Sequence, residues 1–309
     1  MSLSSVDYQA LATRLATLDE VKGRSLWADA RRRFMRNKAA VAGVYMLIFV
    51  TLYAVFGEYL AAWAYEDIDW AIMGKAAEMG QPSIANGHYF GVDDLGRDLF
   101  ARAAQGTRIS LIVGMIGALI SVVVGTLYGS VAGYVGGRTD QVMMRIVDIL
   151  LAIPFMFVVI LLLVMFGRSL AMLFFGIGLL SWLSMARIVR GQTLTLKGRE
   201  FIEAARATGV PTWIIITRHI VPNLLGIVAV YATLLIPEMI LLESFISFLG
   251  LGVQEPLTSL GRLISEGAST INYGTLWQLA FPLFFFIITM FAFFFVGDGL
   301  RDALDPKDR

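Results

Sequence analysis

Residues 197–222 read KGREFIEAARATGVPTWIIITRHIVP and form the longest polar interruption in the C-terminal half of the chain. This stretch separates two strongly apolar segments, and six Lys and Arg residues fall between positions 187 and 218. Good helix formers predict a helix over 201–208, and Gly209 stands where a left-handed residue would end it. We therefore predict a cytoplasmic loop that begins with a short helix, and we call residues 197–222 the knob.

The second half of the knob is bounded by two prolines. Pro211 stops the first helix and can open the next one, because the N–H that proline lacks is not needed in a first turn. We predict a second helix over 213–220, and Pro222 is expected to close the unit.

The composition is typical of a polytopic membrane protein. The chain has 309 residues, of which 57% are hydrophobic and 16% are charged, and its mean hydropathy is +0.72. A soluble domain carries about 25% charged residues. The net charge of +1 gives no indication of nucleic-acid binding, and the lack of cysteine excludes disulfides and thiolate metal sites. His88 and His219 lie too far apart in the sequence to suggest a histidine metal site.

Apolar segments long enough to cross a bilayer recur along the chain. They cover about residues 39–61, 107–132, 142–166, 170–186, 223–248 and 276–296. We expect a break at Pro154 that frees the Leu150 carbonyl, and another break at Pro237. The first segment is predicted to be a retained helix and not a cleaved signal peptide, because nearly forty residues precede it.

The segments between and around these spans differ in charge. Residues 1–38 are basic, and Leu26, Ala30 and Phe34 recur at helical spacing, which predicts an elbow helix on the cytoplasmic leaflet; the alternative is a solvated tail. Residues 62–106 are acidic and predict an outer loop with little regular structure. Short loops at 134–141 and 167–169, a second outer loop at 249–275 and a polar tail from 297 complete the chain.

The positive charges predict the orientation. With six spans, 19 of the 25 Lys and Arg residues fall on the side of the knob and the two termini. The positive-inside rule therefore places both termini and the knob in the cytoplasm.

A stripe of small residues marks the second span. Gly117, Ser121, Gly125, Gly129 and Gly133 recur every four residues and so share one helix face. This spacing predicts a groove in which another helix packs closely, although scattered glycines are also common in membrane helices.

Three carboxylates lie in or beside the spans, where each charge costs about 2.5–3.5 kcal/mol at the bilayer centre. Asp148 lies three residues after Arg145, and we predict an ion pair between them. Glu238 is the deepest carboxylate, and Glu243 lies near the outer end of the same span on a different face. Ionisable residues at membrane depth are usually functional, so both are candidate site residues. The alternative for Glu238 is a bond to a neighbouring helix or subunit.

The knob resembles the EAA motif of ABC importer permeases. The residues that carry the resemblance are Glu203, Ala204, Ala205, Gly209 and Pro222. The end of the motif is imperfect, since His219 and Val221 stand where the family has Ile and Leu. In that family the motif docks into a groove on a separate ATPase subunit. The alternative is an interfacial amphipathic helix.

Further stretches resemble the oligopeptide and dipeptide permeases of the OppC/DppC type, and the oligopeptide type is the more similar. They lie at 24–27, 31–35, 88–98, 125–130, 243–252 and 297–306. The sequence departs from the family at Val92, where Thr is usual. The resemblance covers nearly the whole chain and implies an all-α membrane protein with six transmembrane helices and the type I ABC importer permease fold.

The resemblance also implies a domain plan and a set of partners. The plan is a cytoplasmic segment 1–38, a first transmembrane helix 39–61, a periplasmic loop 62–106, a permease core 107–297 with five helices and the coupling loop 187–222, and a cytoplasmic tail 298–309. The partners are a second related permease subunit, two ATPase subunits that use ATP and Mg, a periplasmic peptide-binding protein and the peptide itself. The location would be the bacterial inner membrane. Glu238 and Glu243 are then candidates for the translocation pathway, where Glu238 would contact a peptide amine or a gating partner.

The sequence gives less support to other classes of function. The chain has no G-x-x-x-x-G-K-[ST] sequence, so ATP would be used by another subunit and no cofactor or metal is expected here. An intramembrane aspartyl protease is disfavoured, because Asp148 and Asp298 both lie at span ends. The alternatives kept open are a related importer for dipeptides, nickel or glutathione, and a secondary transporter, which proline-broken helices also suit.

Overall fold

A computed structural model describes residues 26–304, in which every regular element is helical and only isolated β-bridges occur beside the helices. The sequence matches at 24–25 and 305–306, and most of the basic N-terminal segment, lie outside these residues. The helices are α1 Leu26–Arg36, α2 Lys38–Leu60, α3 Ala76–Met79, α4 Leu99–Val135, α5 Gly137–Ala152, α6 Phe155–Phe166, α7 Leu170–Lys197, α8 Glu200–Ala207, α9 Thr212–Ile214, α10 Val221–Phe248, α11 Leu260–Thr270 and α12 Leu276–Leu304.

The described helices supply five spans, or six when one bent pair is counted as a crossing. Four of them are α2, α4, α7 and α12, and the fifth is the helical run from Thr212 to Phe248. Helices α5 and α6 are long and apolar enough only together, and they are bent from each other by 74°. All predicted apolar segments therefore lie in helices that pass this test.

The two expected proline breaks have opposite outcomes. Helix α5 ends before Pro154, as predicted, but the Leu150 carbonyl is not free, because it accepts the Ile153 N–H at 3.3 Å. The break expected at Pro237 is absent, since α10 runs through it. Pro237 is buried, and α4 packs closely on this part of α10 at Gly114, where a Cβ would lie 3.1 Å from the Ile236 carbonyl. Membrane helices tolerate proline where neighbouring helices pack around it.

Several helices extend beyond the predicted spans into polar sequence. Helix α4 starts at Leu99 and not near 107, because the Asp98 carboxylate caps it by accepting the Ala101 N–H at 2.8 Å. The loop predicted at 134–141 shrinks to Gly136, whose φ of 72° turns the chain into α5. Helix α12 continues to Leu304 through the predicted polar tail, so polarity alone did not mark a helix end.

The predicted close packing of the second span is confirmed. Helix α4 lies along α7, with α10 and α2 against its other sides. A Cβ on Gly125 would lie 2.8 Å from the Trp182 carbonyl, and one on Gly133 would lie 2.9 Å from the Arg190 carbonyl. The small residues thus let the backbones of α4 and α7 approach closely.

The first helix forms as predicted from its spacing. Helix α1 packs against the end of α12, and Ala30 is buried. Asn37 separates α1 from α2 and caps α2, because its side-chain oxygen accepts the N–H groups of Ala39 and Ala40 at 3.1 and 3.2 Å.

Candidate functional site

The first helix of the knob ends as the sequence predicted. Gly209 has a φ of +75°, in the left-handed region that favours glycine. Its N–H donates to the Arg206 carbonyl at 3.1 Å, and the Val210 N–H donates to the Ala205 carbonyl at 3.1 Å. These two bonds form a Schellman motif, which satisfies the last carbonyls of α8 and fixes the direction in which the chain leaves it.

The second half of the knob is not a separate helix, which corrects the prediction that Pro222 closes the unit. Helix α9, a π-helical segment at 215–220 and α10 form one continuous run. The Val221 N–H donates to the Ile216 carbonyl five residues back. This wider turn accommodates Pro222, which has no N–H and whose ring crowds the preceding turn. The knob is therefore a corner: α8 on one side, and the start of α10 on the other.

One face of the knob is buried against the spans and the other is exposed. Ile202 and Ala205 of α8 lie in an apolar cluster that also contains side chains of α4, α7 and the π segment. The members from those elements are Tyr134, Met185, Val189, Ile215, Ile216 and Ile220. Glu203 and Ala204 are exposed. Trp213 is also exposed, at 58% of its surface, and sequence reasoning gave it no role.

A cation–π contact that the sequence did not reveal joins the knob to α4. Tyr134, in the last turn of α4, is buried, and the Lys197 Nζ and Arg206 Cζ atoms each lie 5.7 Å from its ring centroid. Lys197 ends α7 and Arg206 belongs to α8, so the Tyr134 ring of α4 interacts with cations from two other helices. No spacing pattern in the sequence pairs these residues.

The two candidate pathway carboxylates point to different surroundings, as their spacing predicted. Glu243 is fully buried, and its carboxylate accepts hydrogen bonds from Ser110 at 2.9 Å, Ser247 at 2.6 Å and Ser244 at 3.3 Å. Glu238 instead lines a cavity of about 300 Å³, bounded by the Pro154 break, α7 and α10.

Comparisons with known proteins identify the family of the chain. Residues 125–309 match the family described as "binding-protein-dependent transport system inner membrane component", and residues 25–77 match the "N-terminal TM domain of oligopeptide transport permease C". The chain belongs to this permease family.

Named relatives are similar over nearly their whole length. The permease is 58% identical over 290 residues to the oligopeptide transport system permease protein OppC of Escherichia coli K12, covering 94% of both chains. It is 54% identical to the OppC protein of Haemophilus influenzae, covering 94% of this chain and 91% of the relative. It is 45% identical to the dipeptide transport system permease protein DppC of Bacillus subtilis, covering 94% and 89%.

The ion pairs of the permease near the knob differ from the one predicted. Asp148 does not pair with Arg145; its carboxylate accepts from Arg187 Nη2 at 2.6 Å, across to α7. Asp140, which sequence reasoning did not consider, accepts from Arg190 Nε and Nη2 at 2.6 Å each. Both pairs join α5 to α7, because the bend at Pro154 lays α5 beside the end of α7.

No group of His, Asp and Glu side chains within residues 26–304 has the arrangement of a metal site. The candidate functional features of the permease are the knob and the cavity beside Glu238.

Proposed function

We propose that the permease forms one half of the transmembrane pathway of an ATP-driven oligopeptide importer in the bacterial inner membrane. The observation that best supports this proposal is the knob, because an exposed helix that packs on two spans is suited to receive force from another subunit. The names of the relatives favour oligopeptides over dipeptides as the substrate class.

In this proposal the chain crosses the membrane six times, and both termini and the knob are cytoplasmic. The bent α5–α6 pair is then the third crossing, and the domain plan given above applies. The partners are a second related permease subunit, two ATPase subunits that use ATP and Mg, and a periplasmic peptide-binding protein.

The coupling residues act through the two faces of the knob. Glu203 and Ala204 are exposed and contact the ATPase, whereas Ala205 packs inward and passes the movement to α4 and α7. Gly209 sets the angle of the corner, and Pro222 lies where the corner becomes α10. Because α10 also carries Glu238, a tilt of the knob moves the wall of the pathway directly.

The two carboxylates have different parts in the pathway. Glu238 faces the cavity and is in position to contact the peptide. Glu243 is enclosed by serine hydroxyls, so it shapes the pathway by fixing the outer end of α10 against α4.

The test is reconstitution of the complete complex in proteoliposomes, with ATP inside, followed by peptide uptake. We expect uptake that needs ATP and the binding protein and that ionophores leave unchanged. Gly209→Val should lower uptake per ATP hydrolysed about tenfold, since a side chain in a left-handed conformation costs about 1–2 kcal/mol and distorts the corner.

Gly198→Val is the matched control. Gly198 is also on the knob and has open space around it, but its φ is −90°, so valine adds no left-handed strain. Uptake by the permease alone, or loss of uptake when ionophores are added, would contradict the proposal and indicate a secondary transporter. Full coupling in Gly209→Val would remove the coupling role from this corner.

A further inference from the structure

Two cavities lie one above the other along the same pair of helices. The first is the 300 Å³ cavity with Glu238, lined by α7 and α10 beside the Pro154 break. The second, of about 540 Å³, lies between α7, α10 and the end of α12, toward the knob. They follow each other along α10, since Leu234 lines the second cavity and the next residue, Leu235, lines the first. We call the two cavities together the groove.

The groove has one negative and one positive end. Glu238 is the only charged residue among those that line the first cavity, and Arg301 is the only one in the second. Within residues 26–304 neither side chain has a hydrogen-bond or ion-pair partner. The neutral polar side chains that line the two cavities are Ser181, Ser184, Gln192, Asn223 and Tyr231, and the remaining lining is apolar.

The separation of the two charges matches a short peptide. Gly226 faces Leu304, one turn after Arg301, at 3.9 Å from its hypothetical Cβ. Gly297 of α12 lies against Thr233 and Leu234, so α12 runs antiparallel to α10 and Arg301 lies about one turn closer to Glu238 than Leu304 does. Glu238 is therefore about 13 Å from the level of Arg301 along α10. An extended chain spans about 3.5 Å per residue, so this distance corresponds to about four residue spacings, which separate the first and last residues of a pentapeptide.

Peptides of different sequence share a backbone with an ammonium group at one end and a carboxylate at the other. We propose that the groove binds a peptide by these shared features: Glu238 binds the N-terminal ammonium, and Arg301 binds the C-terminal carboxylate. Gln192 and Tyr231 bind the backbone amides. The inference rests on the proposed function and adds a direction, because the carboxylate end then lies toward the knob and leaves the membrane first.

The test compares one pentapeptide in three forms, with free ends, with an acetylated N-terminus and with an amidated C-terminus. Uptake is measured in the reconstituted complex at saturating binding protein. The wild type should transport each blocked form about tenfold more slowly, the scale of a lost charge-assisted hydrogen bond. Glu238→Gln should lose the discrimination against acetylation only, and Arg301→Gln the discrimination against amidation only. Selectivity contributed by the binding protein cancels, since the same protein serves every variant.

Asp302→Asn is the matched control, because Asp302 is exposed beside Arg301 and does not line the groove. It should keep both discriminations. If Glu238→Gln and Arg301→Gln transport peptide and keep both, the inference is overturned while the importer function stands. Absence of ATP-driven uptake of the free pentapeptide by the wild type would overturn the function itself.

A second measurement uses the wild-type complex and so does not depend on how the variants fold. A diazirine-bearing leucine is placed at the first or last position of the pentapeptide, which leaves both ends charged. Cross-links from the first position should map near Leu235 and Met239, and those from the last position near Ile227 and Tyr231. Reversed positions, or cross-links outside the groove, contradict the assignment.

Discussion

The two ends of the molecule hold their charged side chains in different ways. At the end away from the knob, the side chains of Asp93 and Arg102 are 9% and 1% exposed and are paired with each other. At the knob end, the paired side chains of Asp148 and Arg187 are 53% and 54% exposed. The second pair at the knob end, Asp140 and Arg190, is intermediate, with side chains 12% and 33% exposed. We call the end away from the knob the outer end; its central ion pair is desolvated, whereas the pairs of the knob end are partly or fully hydrated.

The outer ion pairs connect parts of the chain that are far apart in sequence. Asp93 accepts from Arg97 Nε at 2.7 Å and from Arg102, and Arg102 also donates to Glu266 of α11 at 3.1 Å. Arg262 adds a bond to Glu266 at 2.8 Å. This network joins the two outer loops and the start of α4, so that end is suited to stay in place while the knob end moves.

The sharpest test of this difference is Arg102→Gln. The change leaves two carboxylates short of a buried cation, and we expect the free energy of unfolding to fall by about 3–5 kcal/mol. Arg187→Gln removes a cation from the exposed pair and should cost about 0–1 kcal/mol. Thermal unfolding of the purified permease in detergent measures both. Equal shifts of the two midpoints would show that the ends do not differ in this respect.

A middle-sized effect is expected where α4 meets α7. A Cβ on Gly129 would press on the Ala186 carbonyl and lie 2.9 Å from the Arg190 nitrogen, so Gly129→Ala must separate the helices. We expect a loss of about 1–3 kcal/mol, as for other overpacked sites. Gly191→Ala is the matched control, because Gly191 lies on α7 with no atom within 4 Å of the added group. If Gly129→Ala leaves the free energy of unfolding unchanged, the contact between α4 and α7 is looser than the structure indicates.

Much of the fold follows from patterns that the sequence displays. The apolar segments, the small-residue stripe of α4 and the left-handed turn at Gly209 were predicted because each depends on residues close together in sequence. The comparisons confirm the family that the motifs indicated. The partners of Asp148 and Tyr134 could not be predicted, since they are set by the 74° bend between α5 and α6 and by the packing of α8 on α4.

Proline was the least predictable residue, for a related reason. Pro154 breaks a helix, Pro237 does not, and Pro222 is accommodated by a π turn. The missing N–H is the same in all three, so the outcome depends on neighbours that the local sequence does not specify.

The smallest expected effect is a pH dependence at the outer end, where two carboxyl groups respond in opposite directions. Burial raises the pKa of Asp98 above its usual value of 3.8, although the Ala101 N–H and His88 oppose the shift. Burial alone would also raise the pKa of Glu255, but the hydrogen bond and charge of Arg97, with Arg262 beyond, hold it below 4.5.

These shifts set the sign of each contribution. A raised carboxyl pKa means that the folded state binds the proton more tightly, so the Asp98 contribution to stability grows as pH falls from neutral toward 3.8. The Glu255 contribution is present at neutral pH and is lost as pH falls below 4.5. The unfolding midpoint of the wild type, relative to that of Asp98→Asn, should therefore rise as pH is lowered from about 6 to about 4. Relative to Glu255→Gln, the wild-type unfolding midpoint should fall as pH is lowered below about 4.5. This fall should be small, since the Glu255 side chain is 43% exposed. An Asp98→Asn variant that keeps the full pH dependence of the wild type would contradict the assignment to Asp98.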